Sequence, residues 1–451
     1  MYMQKVDNLI IGFGKAGKTL AAYLGKQGQK TVLVERSNTM YGGTCINVGC
    51  IPSKKLSLNA HRKQFNQEAQ DTYYLQSVKE KKNLVSLLNK ANYSKLGTIE
   101  QVEIVDGTAS FLDEHTILVT HNNEEKTFKA DRIFINTGST PFIPKIEGLT
   151  ISNHILTSDE LMDLEVLPKQ LTIIGGGFIG LEFAKTYAEY GSQVTILDTS
   201  SKFLEREDED VALEVLKSLQ ELGITLILNA KVLHVEEAET TTITYEVNGE
   251  KLQIQQDYIL VSTGRRPNIK ALNLENAGVA LTERGSIVVN EFLQTNKEHI
   301  FAMGDVNGGL NFTYISLDDF RIVRNFLQGN TSYSTKDRSV IPTSVFLNPT
   351  LSKVGLTEKE ALSKGYDIQV FKLPVSMIPK AKIIGNQTGL YKAIVDRKTN
   401  KILGATIFAE ESHEVINIIA TAMKLNADYT VLKEQIFTHP TMAEALNDLF
   451  Q

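Results

Sequence analysis

Along this chain of 451 residues, an apolar strand, a glycine turn and a helical pattern follow one another twice. The first series begins at residues 6–14 and the second at residues 171–180. Each leads to a second apolar strand that ends in an acid, Glu35 in the first case and Asp198 in the second. The glycine turns consist of Gly12, Gly14 and Gly17, and of Gly175, Gly177 and Gly180. This order, with an acid about twenty residues beyond the turn, is the fingerprint of a dinucleotide-binding unit, so we predict two of them.

The duplication extends beyond the glycine turns. Alternating apolar and polar residues near 104–138 and near 232–264 predict antiparallel strands in both halves. Beyond about Pro342 the pattern changes, and it predicts a separate C-terminal domain of strands followed by helices near 412–424 and 441–449.

The polar segment from about residue 55 to residue 96 is predicted to be helical. Val78, Leu84, Val85 and Leu88 have roughly helical spacing within it. The intervening run Lys79–Lys82 is predicted to be a solvated charge run.

Composition limits the possible partners and locations. The formal net charge of −6 argues against nucleic acid or an anionic membrane as the main partner. No apolar run reaches the roughly 18 residues that a membrane span needs, and residues 1–7 contain no apolar signal core. The eight histidines show no metal-ligand spacing. We therefore expect a cytoplasmic protein without a metal centre, a membrane anchor or a nucleic-acid partner.

The only two cysteines of the chain, Cys45 and Cys50, lie in one stretch, separated by four residues. Structural disulfides are disfavoured in the cytoplasm, so a catalytic pair is the better interpretation. Pro52 and Lys54 suit the start of a helix, and a helix N-terminus lowers the pKa of a thiol. A zinc site would need two more ligands nearby, and none is available. The pair is predicted to be a redox-active dithiol.

The acid of each unit indicates what it binds. Glycine turns bring backbone N–H groups against a pyrophosphate, and Glu35 and Asp198 are expected to bind ribose hydroxyls. A carboxylate at Asp198 would repel a 2′-phosphate, which favours NADH over NADPH. Lys202, four residues further on, could offset that repulsion.

His439 and Glu444 form a second candidate for chemistry. His439 could act as an acid–base group toward a thiol, with Glu444 orienting its ring. A histidine before a proline is more often a structural turn residue, but the cysteines and the nucleotide motifs favour a catalytic role here.

Taken in order, these motifs and Met303-Gly304-Asp305 resemble the class I pyridine nucleotide-disulfide oxidoreductases. Glutathione reductase, lipoamide dehydrogenase and mercuric reductase belong to this family. The resemblance implies an α/β fold with two Rossmann-like dinucleotide-binding domains and a C-terminal α+β dimerisation domain. It places an FAD-binding domain at 1–146, an NAD(P)H-binding domain at 147–265, a return segment of the FAD-binding domain at 266–336 and the dimerisation domain at 337–451.

The resemblance also implies roles for individual residues. FAD would bind the first unit and NADH or NADPH the second, and His439 would serve the dithiol of the other subunit of a homodimer. Cys50 would be the thiol beside the flavin, and Cys45 the thiol that meets the substrate. The remaining implied site residues are the ion pair Lys54 and Glu182 and the cofactor contacts Gly43, Thr44, Thr137, Gly138, Gly264, Asp305 and Thr313.

Four stretches, 10–20, 40–47, 309–319 and 435–440, are similar to bacterial flavoprotein reductases that are induced by reactive chlorine and reduce hypothiocyanous acid. This resemblance implies a small-molecule oxidant as substrate. Tyr314 either narrows the entrance for such an oxidant or packs as an ordinary aromatic. Lipoamide dehydrogenase, or another disulfide or metal-ion reductase acting on copper or mercury, remains the enzymatic alternative. A flavin-bearing redox-sensing protein without turnover is the alternative from another class.

Overall fold

The first glycine turn lies at the end of the central strand of a mixed sheet. The computed structural model describes residues 3–238 and 240–451, so the first two residues of the N-terminal stretch lie outside the described part. The elements up to residue 141 are the strands β1 (Met3–Ile11), β2 (Thr31–Glu35), β3 (Val102–Asp106), β4 (Thr108–Phe111), β5 (Thr116–His121), β6 (Glu124–Ile135) and β7 (Ser139–Pro141), and the helices α1 (Lys15–Lys26), α2 (Thr44–Asn47), α3 (Cys50–Arg62) and α4 (Gln70–Gly97). The sheet order is β3-β2-β1-β6-β5-β4. Only β4, β5 and β6 form the antiparallel part, because β3 pairs with β2 in parallel.

The second unit repeats the arrangement on a smaller scale. Its elements are the strands β8 (Ile155–Leu156), β9 (Gln170–Ile174), β10 (Gln193–Leu197), β11 (Thr225–Ile227), β12 (Lys231–Glu237), β13 (Thr241–Val247), β14 (Glu250–Gln256), β15 (Tyr258–Val261) and β16 (Arg265–Pro267), and the helices α5 (Ser158–Asp163), α6 (Phe178–Tyr190) and α7 (Glu209–Glu221). A parallel sheet has the order β11-β10-β9-β15-β8, and β12–β14 form an antiparallel sheet, as the alternation predicts. The strands β7 and β16 pair and connect the two units.

The rest of the chain completes the first sheet and then forms a third layer. Its elements are the strands β17 (Ile300–Ala302), β18 (Thr343–Val345), β19 (Thr350–Gly355), β20 (Ile368–Pro374), β21 (Leu390–Asp396) and β22 (Ile402–Ala409), and the helices α8 (Thr313–Leu327), α9 (Glu358–Ser363), α10 (Pro379–Ile384), α11 (Ser412–Lys424), α12 (Thr430–Glu434) and α13 (Ala445–Leu449). Strand β17 pairs with β6 in parallel, whereas β18–β22 form an antiparallel sheet in the order β18-β19-β22-β21-β20. The domain boundaries given above stay predictions.

Two details of the polar segment at 55–96 differ from the prediction. It contains two helices, α3 and α4, because the side chain of Asn66 accepts the N–H of Glu68 and interrupts the helical hydrogen bonds. The charge run is not solvated throughout, since Lys81 is buried and its ammonium pairs with Asp163 from α5. The partner of Lys81 lies 82 positions away, beyond any local pattern.

The last predicted helix begins later than residue 441. Thr441 Oγ1 accepts the N–H of Glu444, and the Glu444 carboxylate accepts the N–H of Thr441. These two bonds form a turn at 441–444, so α13 begins at Ala445. Across the described ranges, no helix is both long enough and apolar enough to cross a bilayer.

Candidate active site

One cavity of about 2030 Å³ brings most of the predicted site residues together. The predicted residues that line it are Gly12, Gly14, Glu35, Gly43, Thr44, Cys45, Cys50, Lys54, Thr137, Gly138, Gly175, Gly177, Glu182, Asp198, Gly264, Asp305 and Thr313. Four predicted residues do not line it: Gly17 and Gly180, which pack inside the turns, and His439 and Glu444. The cavity thus joins both glycine turns to the dithiol.

The first glycine turn is closed by a residue that the sequence analysis missed, Asn136. Gly12 has φ +102° and lies so close to Asn136 that a Cβ there would come within 2.4 Å of the carbonyl oxygen of Asn136. The side-chain oxygen of Asn136 accepts the N–H of Gly17 (2.9 Å), and its amide donates to the carbonyl of Met303 (2.6 Å). A polar residue at the carboxyl end of the buried strand β6 was the available signal.

The two acids hold equivalent positions in the two units. Glu35 accepts the N–H of Phe13 (2.9 Å), and Asp198 accepts the N–H of Gly176 (2.5 Å). Phe13 and Gly176 each occupy the second position of their glycine turn. Burial raises the pKa of Glu35, against backbone hydrogen bonds that lower it. Each carboxylate is therefore fixed to its own turn.

The glycine turns fit dinucleotides on the observations of this structure. Helix α1 starts after Gly14 and α6 after Gly177, and neither N-terminal residue provides a side-chain cap. At α1 the N–H groups of Ala16 and Gly17 donate to Ser316 and Asn136, so it is the positive end of the helix that attracts a pyrophosphate there. A positive helix end next to a carboxylate that can accept ribose hydroxyls suits a dinucleotide. The residues of the first unit therefore fit FAD, and those of the second fit NADH or NADPH, as predicted ligands.

Asp305 belongs to a hydrogen-bonded chain that the sequence did not reveal. The Ser139 hydroxyl donates to the Asp305 carboxylate (2.7 Å), and Arg265 donates to Ser139 through its Nε (2.8 Å). Ser139 and Arg265 lie on β7 and β16. The pair of strands that connects the units thus also orients Asp305.

The cysteines are free thiols with opposite acidities. Cys50 is the first residue of α3, and its Sγ lies 3.7 Å from the Thr313 hydroxyl. The hydrogen bond from Cys45, the Thr313 hydroxyl and the charge of Lys54 outweigh burial and lower the pKa of Cys50 to about 6. The hydrogen bond to Cys50 and burial raise the pKa of Cys45. The negative charge of the pair therefore resides on Cys50, and Cys45 carries the proton.

Lys18 is a second residue that the sequence analysis did not assign to the site. Its ammonium donates to the carbonyl of Gly42 (3.2 Å) and to the side chain of Asn92 (2.7 Å). Burial lowers the pKa of Lys18 to about 8, and its positive charge lowers the pKa of Cys45. A cation thus lies near the less acidic thiol.

Lys54 and Glu182 form the expected ion pair, with 2.6 Å between Nζ and the carboxylate. The other carboxylate oxygen of Glu182 accepts the N–H of Phe346 (3.0 Å), and the Lys54 ammonium lies 4.7 Å from the centre of the Phe346 ring. The pair therefore joins α3 to α6 and both to the C-terminal sheet.

His439 and Glu444 form a hydrogen-bonded pair that does not line the cavity containing the cysteines. His439 Nδ1 lies 2.8 Å from the Glu444 carboxylate, and the imidazole is 73% exposed. Burial raises the pKa of Glu444, but hydrogen bonds from His439 and Thr441 outweigh it and lower that pKa. The bond at Nδ1 leaves Nε2 of the ring facing outward.

Tyr314 both lines the cavity and packs. Its hydroxyl donates to the carbonyl of Pro342 (2.8 Å), and its ring stacks on Phe312. No cluster of three or more histidine, cysteine or acidic side chains that could hold a metal ion occurs in residues 3–238 and 240–451.

Two nucleotide-binding folds and a dithiol in one cavity define an oxidoreductase of the flavin-linked disulfide class. Residues 6–319 match the model of the pyridine nucleotide-disulphide oxidoreductases, and residues 341–450 match the dimerisation domain of the same group. The chain belongs to the pyridine nucleotide-disulphide oxidoreductase family, which confirms the predicted family and fold class. The family implies FAD and NAD(P)H, and its dimerisation domain supports a homodimer.

Among its relatives, the chain is 45% identical over 448 residues, and 99% of each chain, to a probable pyridine nucleotide-disulfide oxidoreductase, RclA, of Escherichia coli K12. It is 36% identical to a mercuric reductase of Lysinibacillus sphaericus, over 98% of this chain and 81% of that one. The Cu(II) complex of the HOCl-induced flavoprotein disulfide reductase RclA from Escherichia coli has a TM-score of 0.94, with 44% identity and 99% of each chain covered. These similarities support an enzyme over a sensing protein without turnover.

Proposed function

We propose that this protein uses NADH or NADPH and FAD to reduce hypothiocyanous acid to thiocyanate and water through Cys45 and Cys50. The observation that carries the proposal is the division of acidity within the pair: Cys50 has a pKa lowered to about 6, whereas that of Cys45 is raised. The chain has no third cysteine. Reduction of hypothiocyanous acid needs only two sulfurs, one that attacks the oxidant and one that then closes the disulfide, so it suits a chain with a single pair.

The cofactors would be held by residues that line the cavity or build its turns. We assign FAD to Gly12, Gly14, Gly17, Glu35, Gly43, Thr44, Thr137, Gly138, Asp305 and Thr313, and NAD(P)H to Gly175, Gly177, Gly180, Asp198 and Gly264. When bound, the two cofactors supply the electron pair that returns the cysteines to the dithiol state. Lys54 and Glu182 lie between the two units and would fix their relative position at this point.

In the first step, the Cys45 sulfur forms a bond to the sulfur of hypothiocyanous acid as the sulfur–oxygen bond breaks. The oxygen leaves as water, because it takes the proton that Cys45 carried. The product is a sulfenyl thiocyanate on Cys45. The positive charge of Lys18 favours the thiolate of Cys45 during this attack.

In the second step, the Cys50 thiolate attacks the Cys45 sulfur and expels thiocyanate. The two thiols are thereby oxidised to a disulfide, and the oxidant has gained two electrons and one proton. Cys50 can act at neutral pH without a base, since its pKa is lowered to about 6. The proton of Cys45 in the first step, in contrast, must be carried to the leaving oxygen. We assign this role to His439 of the partner subunit, oriented by Glu444, which would accept the proton from Cys45 and donate it to that oxygen.

Two further features belong to the proposal. NADH is the preferred donor, because Asp198 would face the ribose and repel a 2′-phosphate. A cytoplasmic location is consistent with a dithiol that depends on NAD(P)H for its reduction.

Reduction of Cu(II) or Hg(II) is the second candidate. It is favoured by the similarity to a mercuric reductase and to a protein whose structure was solved as a Cu(II) complex. A thiolate such as Cys50 is a suitable ligand for a soft metal ion. The described residues nevertheless offer no cluster of three metal-binding side chains, so hypothiocyanous acid is the leading substrate.

A substrate panel with the purified FAD-loaded enzyme tests the proposal. NADH consumption is measured with hypothiocyanous acid, oxidised glutathione, lipoamide, Cu(II) and Hg(II), each with the wild type and with Cys45→Ser. We expect the highest kcat/KM with hypothiocyanous acid, two electrons per thiocyanate released, and no activity in the variant. A higher kcat/KM with any other member of the panel, or full activity of Cys45→Ser, would refute the assignment.

A further inference from the structure

The second unit is attached to the C-terminal sheet by a buried lysine. Lys392 lies on β21, and its side chain is only 2% exposed. Its ammonium contacts the carboxylates of Asp208 (2.9 Å), Asp210 (3.0 Å) and Glu358 (2.7 Å). Asp208 and Asp210 belong to the start of α7 in the second unit, whereas Glu358 belongs to α9. A buried charge of this kind is maintained only by a full set of partners, so the two domains are held at a defined distance here.

A second ion pair, in which the glutamate is buried, involves the residue just before Asp208. Lys353 on β19 contacts Glu207 at 2.6 Å, and the Glu207 side chain is 2% exposed. Lys372 on β20 adds a contact of 2.6 Å to Asp210. The backbone N–H of Glu358 also donates to Asp208 (3.1 Å). We call the contacts of Lys353, Lys372 and Lys392 with residues 207–210 the interdomain clasp.

The clasp holds one end of the segment that follows the ribose-binding acid. The other end is fixed at Asp198, which accepts the N–H of Ser200 (2.7 Å). Between these ends, Lys202, Phe203, Leu204, Glu205 and Arg206 line the cavity. Leu204 has φ +44°, a conformation that a non-glycine residue keeps only when its surroundings enforce it. The segment 199–207 is therefore fixed from both sides.

Two positively charged residues on this segment bear on which nucleotide the site binds. Lys202 and Arg206 line the same cavity as Asp198, and neither has an ion-pair partner among the residues that the structure describes. A nucleotide 2′-hydroxyl is bound by a carboxylate, whereas a 2′-phosphate is bound by cations. Which of the two groups the site accepts thus depends on how far Lys202 and Arg206 are kept from the place beside Asp198.

We propose that the interdomain clasp is a specificity-determining device, in which Lys353 and Lys392 of the C-terminal domain position segment 199–207 so that the second unit selects a dinucleotide with a free 2′-hydroxyl. The inference rests on the proposed binding of a nicotinamide dinucleotide by this unit. Lys353 and Lys392 are positioning residues, because they act through Glu207 and Asp208 and do not line the cavity themselves. The domain that supports dimerisation thereby takes part in cofactor choice.

Equilibrium binding tests the inference without turnover. ADP-ribose and 2′-phospho-ADP-ribose are titrated by calorimetry into the FAD-loaded full-length protein, as wild type, Lys353→Met and Lys353→Arg. Lys401→Met is the matched control, because the pair between Lys401 and Asp428 is also 2.6 Å long but lies within the C-terminal domain. We expect Lys353→Met to lose about tenfold in affinity for ADP-ribose. Its affinity for 2′-phospho-ADP-ribose should fall less, so the ratio of the two affinities should be smaller than in the wild type. Lys353→Arg and Lys401→Met should bind as the wild type does, and kcat at saturating NADH should stay within about twofold for all three.

The outcomes separate this inference from the proposed function. Unchanged binding of both nucleotides by Lys353→Met, or an equal loss for both, overturns the role in specificity. If Lys353→Met does not fold, Lys353→Gln removes the same charge while keeping a polar side chain outside the cavity and provides the comparison. A wild type that binds neither nucleotide would instead overturn the assignment of the second unit to NAD(P)H.

Discussion

The hydroxyl of Thr313 lies 3.7 Å from the sulfur of Cys50, so the first residue of α8 contacts the first residue of α3 across 263 positions of sequence. This hydroxyl lowers the pKa of Cys50 and, with Cys45 and Lys54, brings it to about 6. The sequence resemblance assigned Thr313 to the cofactor, whereas its contact within the chain is with the dithiol.

Thr313→Val should therefore raise the pKa of Cys50. A hydrogen bond to a charged group contributes about 1.5–3 kcal/mol, which corresponds to roughly one to two pKa units. Because the thiolate forms as the pH rises through the pKa, the variant should hold less thiolate at pH 6–7 than the wild type. The pH dependence of iodoacetamide labelling of the reduced protein measures this, with Thr313→Ser as the control that keeps the hydroxyl. An unchanged midpoint in Thr313→Val would show that the contact has no electrostatic effect.

The two substitutions Cys45→Ser and Cys45→Ala should differ in their effect on Cys50. Both remove the attacking sulfur, so both should abolish reduction of the oxidant. The serine hydroxyl can still donate to Cys50 and should keep its pKa near that of the wild type, whereas alanine removes the largest contribution and should raise it. Titration of the single remaining thiol distinguishes the two variants. Equal midpoints would contradict the proposed hydrogen bond between the cysteines.

His439 should act only in a dimer. His439→Ala and Cys45→Ser homodimers should each be strongly impaired, the first because the proton of Cys45 lacks an acceptor. In a mixed dimer, one site combines the intact cysteines of one chain with the intact His439 of the other. Co-expression of the two variants with different affinity tags, followed by purification of the mixed dimer, should restore activity at that one site. A mixed dimer no more active than the two parents would place His439 with the cysteines of its own chain.

Asp198→Arg should shift the donor preference toward NADPH. The substitution replaces a carboxylate that repels a 2′-phosphate by a group that binds it. We expect the ratio of kcat/KM for NADH to that for NADPH to fall by about tenfold or more, a change of roughly 1.4 kcal/mol. Lys202→Met serves as the control, since it should shift the ratio in the opposite direction. If the ratio is the same in Asp198→Arg as in the wild type, Asp198 does not determine the preference.

The predicted site residues that local patterns could bring together are those close in sequence. The glycine turns and their acids follow from spacing within about twenty residues, and Cys45 and Cys50 are neighbours in sequence. His439 and Glu444 are five positions apart and do form a hydrogen bond. In each case a single turn or βα unit determines the geometry, so a short pattern contains the information.

The parts that were missed depend on contacts between distant segments. Asn136 is 119 positions from Gly17, and Ser139 is 166 positions from Asp305. These residues meet because the order of strands in the sheets brings their ends together, and no periodicity along the chain records that order. The same reason explains the wrong prediction for Lys81, whose burial depends on Asp163 from another element. Lys54 and Glu182, 128 positions apart, were assigned only through the family resemblance.

The contact of Lys54 with Glu182 and Phe346 involves three parts of the chain that are folded around separate sheets. Any rotation of one part against another would break at least one of the contacts among Lys54, Glu182 and Phe346. A rotation between these parts would therefore change the surroundings of Cys50, whose pKa is lowered in part by the charge of Lys54. The acidity of the reacting thiol is in this way coupled to the relative position of three sheets.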